Sequence, residues 1–523
     1  MTERFFENLT EMRLKIVMTV LSLLPILCLL VLLIVIKVSV ARAGAISLVA
    51  TLVIALVFFG LSAFGLLVAV GKALSLALFV SLIVWAALLL YHLVDGFKAI
   101  DVINKNFVIL VEDKFVGFLL LSWLFTGVFQ GMAGFGVPVV IVAPILIALG
   151  FDKVKSLSAT LLGHTWAVTF GSMGAAFFII QMLTGLPYES LGTPMWIFNT
   201  IIIFGTGIGI CWLYDGIKGI GKGISYVIPV SVIMAVTQFF IIRLGLYSLA
   251  SLLTAVVGLA AMLALYKLRA KQKSKAGLYS AELTLFQSVL PYAVILVMAM
   301  LFQFLPDALR DISLSFAFPG TETSIGHIVS PETGYARIRL FGHPAVLLLI
   351  ACAVAIIVYK RAGAWDSAVF KDALRKTAKK GIPATLALLA LGNMSLIMMD
   401  SGMTNLLSYN VAGITGRFYP FVAPFFGVLG SFLTGNNTNS NILFGSFQYA
   451  IAQRLDVSTA VMSAVQSLSG GIGVAIGPTL VLMGALASKL EGQESLIYRK
   501  LIGIVLIIAL VMGIANFVVL RLV

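Results

Sequence analysis

The stretch GSFLTGNNTNSNILFG places Asn436, Asn437, Thr438, Asn439, Ser440 and Asn441 in one unbroken run inside apolar sequence. Amides and hydroxyls of this kind offer neutral oxygens and N–H donors, the chemistry that holds a small polar solute or a desolvated cation. A second break, AGFGVP, carries Gly134, Phe135, Gly136 and Pro138. Its glycines allow a sharp turn, and its proline suits the first turn of a new helix. The chain after each break therefore begins a helix whose N-terminus presents unpaired N–H groups and about half a positive charge, which suits a carboxylate. Close helix packing accounts for Gly127 and Gly131, a GxxxG pair, but not for a run of amides; an extramembrane polar loop is the competing account of that run.

Ionisable side chains within apolar segments are candidates for ion coupling. His164, in LLGHTWAVTFGSMG, has a side chain whose unperturbed pKa near about 6.5 suits a proton carrier. Asp400, in MMDSGM, falls at an expected outer helix end and reads first as an interfacial cap. Gln130 and Asn436 complete the ion-coupling candidates. No HExxH motif, Cys/His cluster or Ser/His/Asp set is present, so the sequence points to no enzyme, metal site or cofactor.

These residues sit in a chain that is 61% hydrophobic and 11% charged, beyond the range of soluble domains. Apolar runs recur along its length, and in hydrocarbon such runs must be helices because unpaired backbone groups are too costly there. The net charge of +14 lies in short connecting loops and signals topology, not a nucleic-acid partner. Cys28, Cys211 and Cys352 fall inside apolar segments as packing residues. The run 16–36 is too long for a secretory leader and follows Glu3, Glu7 and Glu11, so it reads as the first membrane helix.

Spanning segments are expected near 16–36, 45–70, 73–95, 157–182, 195–213, 223–242, 247–266, 286–304, 344–360, 382–400, 458–488 and 500–521, about twelve in all. The segments 116–150 and 418–452 are long and interrupted, and read as re-entrant hairpins. The expected class is an all-α integral membrane protein with an N-terminal half (1–266), a basic cytoplasmic linker (267–285) and a C-terminal half (286–523). The basic runs KLRAKQKSK and KRAGAWDSAVFKDALRKTAKK mark the cytoplasmic face. That orientation puts both termini outside a plasma (inner) membrane and leaves 305–343 as an external hairpin or cap. Laying Phe125 over Phe425 superimposes the two breaks and pairs FGSMG (170–174) with GGIGV (470–474). The two copies enter from opposite faces, the inverted-repeat pattern of secondary transporters.

With GVFQGMAGFGVPVVIVAPILIALGF, YPFVAPFFGVLGSFLTGNNTNSNILFGSFQYAIA and SLSGGIGVAIGPT in hand, the chain resembles the L-lactate permease family over most of its length. The resemblance implies proton-coupled carriage of 2-hydroxy monocarboxylates such as lactate or glycolate, and symmetric hairpins moving as an elevator. The chain departs from the family pattern where it has Gln130 and Asn437 in place of acids, and Val474 where the family has a lysine.

The expected function is symport of a small organic anion with H⁺ or Na⁺, its substrate held by Gly134, Phe135, Gly136, Pro138, Asn437, Thr438, Asn439, Ser440 and Asn441. A cation antiporter of the same architecture and a passive anion channel are the alternatives. The partners are the anion, the cation and the bilayer, with a homo-oligomer left open. A cysteine placed in 267–280 or 360–380 labels only from the cytoplasm, and one near Thr321 only from outside. Labelling near Thr321 from the cytoplasm overturns the inverted arrangement.

Overall fold

In the computed structural model, which describes residues 2–109, 113–132, 134, 136–270 and 282–522, helices dominate. The chain opens with α1 (Thr2–Ile34), α2 (Val40–Val57), α3 (Ala63–Gly96) and α4 (Ala99–Ile109). The expected boundary between the second and third spans moves to 58–62, where Gly60 has φ +63° and Ser62 caps α3 by accepting from the Gly65 N–H.

The first hairpin is α5 (Lys114–Leu119), a π-helical turn (Leu120–Phe125), α6 (Thr126–Met132) and, after the break, α7 (Val137–Ala148). A broken span follows: α8 (Lys153–Gly163), two 3₁₀ turns (Thr165–Ala167 and Ser172–Gly174) and α9 (Ala175–Thr184). Next come α10 (Tyr188–Arg243), kinked at Asp215 and Gly216 into the two expected spans, and α11 (Ala250–Ala270). Residues 271–281, most of the basic linker, lie outside the described residues.

The second half runs through α12 (Leu285–Gln303) and α13 (Asp307–Arg310) into four short strands. These are β1 (Ser313–Phe318), β2 (Thr321–Glu322), β3 (Ile328–Val329) and β4 (Glu332–Arg339); β1 pairs antiparallel with β4, and β2 with β3. The expected external cap is this small β element. Within it Thr321 is buried, so exposed Ile328 is the better labelling position. Then come α14 (Pro344–Arg361), α15 (Ser367–Asp400), a short α16 (Met403–Thr415) that the sequence did not announce, and the second hairpin of α17 (Tyr419–Thr434) and α18 (Asn437–Arg454). The second broken span is α19 (Thr459–Gly473), a 3₁₀ turn and α20 (Pro478–Ser488), and α21 (Glu494–Leu522) ends the fold. Eleven stretches among the described residues are long and apolar enough to cross a bilayer.

Packing sorts these elements into two groups drawn from both halves of the sequence. In one, α3 lies along α15, with α2 and α14 beside them. Gly381 leaves room for the Trp85 ring, whose Nε1 donates to Thr385 Oγ1 at 3.0 Å. In the other, the hairpins and broken spans pack with α10, α11 and α21. The GxxxG pair packs as expected, with Gly127 under the Trp166 ring and Gly131 against the Leu252 backbone.

One buried charge cluster joins the β cap to the first group. Lys72 of α3 is fully buried, with Nζ 2.7 Å from Glu332 Oε1 on β4 and 3.5 Å from Asp400 Oδ2 at the end of α15. A carboxylate is unfavourable at a helix C-terminus, and the ammonium offsets it. Within α15, Lys380 precedes Asp400 by about 30 Å of helix at about 1.5 Å per residue, the thickness of a hydrocarbon core. The β cap and the basic run ending at Lys380 are therefore separated along α15 by about the thickness of a hydrocarbon core. Lys72→Met strands the buried Asp400 carboxylate and is expected to lower stability by about 3–5 kcal/mol, with Lys72→Met/Asp400→Asn recovering part of the loss. Thermal unfolding of the detergent-solubilised protein checks this, and an unchanged midpoint in Lys72→Met contradicts it.

Candidate functional site

Each hairpin turns where its sequence supplies a left-handed residue and a helix start. In the second, Gly435 (φ +70°) ends α17, and Asn436 caps α18 by accepting the Thr438 N–H on its Oδ1 at 2.7 Å. In the first, Gly136 (φ +81°) caps α7, and Pro138 lies in the first turn. The first broken span is also strained: Ser172 (φ +49°), Met173 (φ +55°) and Gly174 (φ +83°) run through left-handed backbone before α9 begins.

The two tips meet at α20. A side chain on Gly136 would collide with Met483 and Leu480, and Gly435 faces Thr479. Between them lies a cavity of about 380 Å³. Four helix N-termini open onto it: Gly136 of α7, Ala175 and Ala176 of α9, Asn436–Asn439 at the start of α18, and Thr479 and Leu480 of α20. Gln130 and His164 line one wall; Leu88 of α3 and Lys379–Lys380 of α15 form the side towards the other helix group. His164 Nδ1 is 3.0 Å from the Thr160 carbonyl, which only accepts, so the neutral ring carries its proton there and leaves Nε2 unprotonated.

Of the residues singled out in the sequence, Gly136, Asn437, Thr438, Asn439, Gln130, His164 and Asn436 share this cavity. Gly134 (φ +58°) sits just behind it against Ser172, Pro138 is buried within α7, and Phe135 lies outside the described residues. Ser440 and Asn441 do not line the cavity. The Ser440 hydroxyl donates to the Gly427 carbonyl at 2.9 Å, and Asn441 Nδ2 donates to the Ala176 carbonyl and to Ser467 Oγ, both at 2.9 Å. Asp400 is remote, in the charge cluster beneath the β cap.

Three contributors went unnoticed in the sequence. Lys379 and Lys380 belong to a basic run that reads as a topology signal, yet they supply the positive charge at the cavity that Val474 does not. Thr479 follows Pro478 at a helix start, the same signal that marked Pro138, and could have been found by it.

The profile of the family described as L-lactate permease matches residues 18–523. The chain belongs to the L-lactate permease family. Among curated relatives of this permease-family chain, the glycolate permease of Escherichia coli (strain K12) is 26% identical over 94% of each chain. The L-lactate permease of Streptococcus iniae is 26% identical over 73% of this chain and 79% of its own, and that of Escherichia coli (strain K12) is 24% identical over 94% of each.

Gly136 ties the tip geometry to activity most directly. Gly136→Val forces a β-branched residue into left-handed backbone and against Met483. It is expected to abolish uptake of labelled L-lactate in cells while leaving the protein in the membrane, whereas Gly221→Ala, with open space at its Cβ, retains uptake. Normal uptake by Gly136→Val contradicts the role given to the tip.

Proposed function

We propose that this chain is a secondary transporter carrying a small 2-hydroxy monocarboxylate, such as lactate or glycolate, across the plasma (inner) membrane together with a cation. The observation that carries this reading is the convergence of four helix N-termini on one cavity between the hairpin tips. Each terminus contributes about half a positive charge and N–H groups, and together they stabilise a carboxylate without a fixed partner inside the site. Lys379 and Lys380 raise the local concentration of anions at the rim. Asn439, Thr438 and Gln130 supply neutral donors and acceptors for a hydroxyl on the adjacent carbon. Membership of a family with lactate- and glycolate-named relatives supports the same substrate class and a transporter over an enzyme.

The cavity lies between the hairpin group and the α3–α15 pair, so sliding of one group along the other would carry the site between faces. This supports an elevator movement. The basic face is taken as cytoplasmic and both termini as external, following the charge distribution.

Sodium is the coupling ion in this reading. Among the described residues, no carboxylate lines the cavity. Behind the second tip, Asn437 Nδ2 reaches Thr169 Oγ1 at 3.3 Å, while the amide oxygens of Asn437 and Asn441, one turn apart on α18, are buried and lack a hydrogen-bond donor. Neutral oxygens beside broken helices suit Na⁺. The second reading, a proton, is favoured by His164, whose Nε2 is free of the Thr160 bond and whose ring lines the cavity.

Uptake of labelled L-lactate into proteoliposomes with the membrane potential clamped separates the two. A Na⁺ gradient at fixed pH is expected to drive accumulation, and a pH gradient in Na⁺-free buffer is not. Accumulation driven by pH alone and lost in His164→Ala overturns the sodium reading and makes His164 the proton site. No accumulation under either gradient, with downhill flux intact, points to the channel alternative.

A further inference from the structure

A second, larger cavity of about 790 Å³ lies beneath the β cap. Its walls come from β4, the start of α14, and the ends of α9 and α10, including Gln181, Tyr188, Tyr247 and His343. It shares two helices with the hairpin-tip cavity. On α9, Ala175 and Ala176 face the tip cavity while Phe178 lines the capped one. On α3, Leu88 faces the tip cavity and Phe79 the capped one. Along α9 the two spaces are thus separated by less than one helical turn, about 3–5 Å of rise.

The aromatic rings Phe79 and Phe178 meet at this point, edge to face with centroids 5.5 Å apart, and Phe79 also packs edge-on to His343 at 4.4 Å. Phe79 and His343 belong to the α3–α14–α15 group, and Phe178 to the hairpin group. The contact therefore crosses the boundary along which the two groups would slide. An aromatic pair holds by dispersion and ring electrostatics, with no hydrogen bond to break, so it can part and re-form without stranding a buried polar group.

We infer that the capped cavity is the external antechamber of the transport path, and that the Phe79–Phe178 contact is the seal between it and the substrate site. This rests on the reading of the tip cavity as that site. The seal excludes water and small carboxylates from the tip cavity while that cavity is open to the basic face. It parts when α9 moves relative to α3.

The test uses the full chain in oriented proteoliposomes, with Cys28, Cys211 and Cys352 replaced by alanine and Thr479→Cys as the reporter in the tip cavity. A membrane-impermeant methanethiosulfonate is added to one face at a time. In Phe79→Ala/Phe178→Ala the labelling rate from the β-cap face is expected to rise about tenfold, with the rate from the basic face unchanged. Phe178→Trp, which keeps an aromatic ring at the contact, is expected to label like the parent. A cap-face rate that does not change overturns the proposal. So does a cap-face gain matched by a loss from the basic face, because that describes a shifted population and not a removed seal. If the double variant fails to insert, Phe178→Leu alone carries the same expectation. Protection of the reporter by L-lactate from the basic face is measured in parallel: absence of protection removes the substrate reading even where the labelling pattern supports the seal.

Discussion

Backbone polar groups at membrane depth must find partners inside the protein, and the core of this structure follows from that constraint. Four helices begin within the fold at broken segments, and the breaks of the two halves lean on one another. Thr169 of the first broken span donates to the Ser467 carbonyl of the second at 3.0 Å, and Asn441 of the second hairpin donates to the Ala176 carbonyl of the first repeat. These bonds between repeats fix the helix starts around one space. The first turns of those helices line the cavity, where in the proposed reading the carboxylate binds.

The second consequence is mechanical. The hairpin group is tied together by these bonds and by buried amide chains such as Tyr419–Gln448–Gln466–Ser440. On the side of α3 and α15, the cavity is lined by Leu88, Pro383 and Ala384 together with Lys379 and Lys380. One group is thus tied together internally by buried hydrogen bonds. Lys72, Glu332 and Asp400 act in the other group, holding the β cap to α3 and α15 over the larger cavity.

Much of this was legible from residue types. The helical class, the paired breaks, the structured connection between α12 and α14 and the division of α10 into two follow from apolar run lengths, glycines and charge placement. The site was legible at its tips, where Gly136 and Asn436–Asn439 have no role except in a break. It was less legible beyond them for a geometric reason: once α18 starts at Asn437, its residues divide by face. Thr438 and Asn439 stay at the open first turn, while Ser440 and Asn441 rotate onto the faces that meet α17, α19 and α9. A run of six polar residues cannot show that division until the helix start is known. Lys379 and Lys380 were hidden for another reason. A basic residue at a membrane interface serves topology whether or not a cavity reaches it, and only the packing of α15 against the hairpin group brings the cavity there.

The position of the bound carboxylate decides between the two cavities. The most direct measurement is an electron cryo-microscopy map of the protein in lipid nanodiscs with saturating L-lactate. The predicted result is ligand density between Gly136 and Asn436, its carboxylate end facing the first turns of α7 and α18. Density confined to the chamber beneath the β cap, with the tip cavity empty, would contradict it.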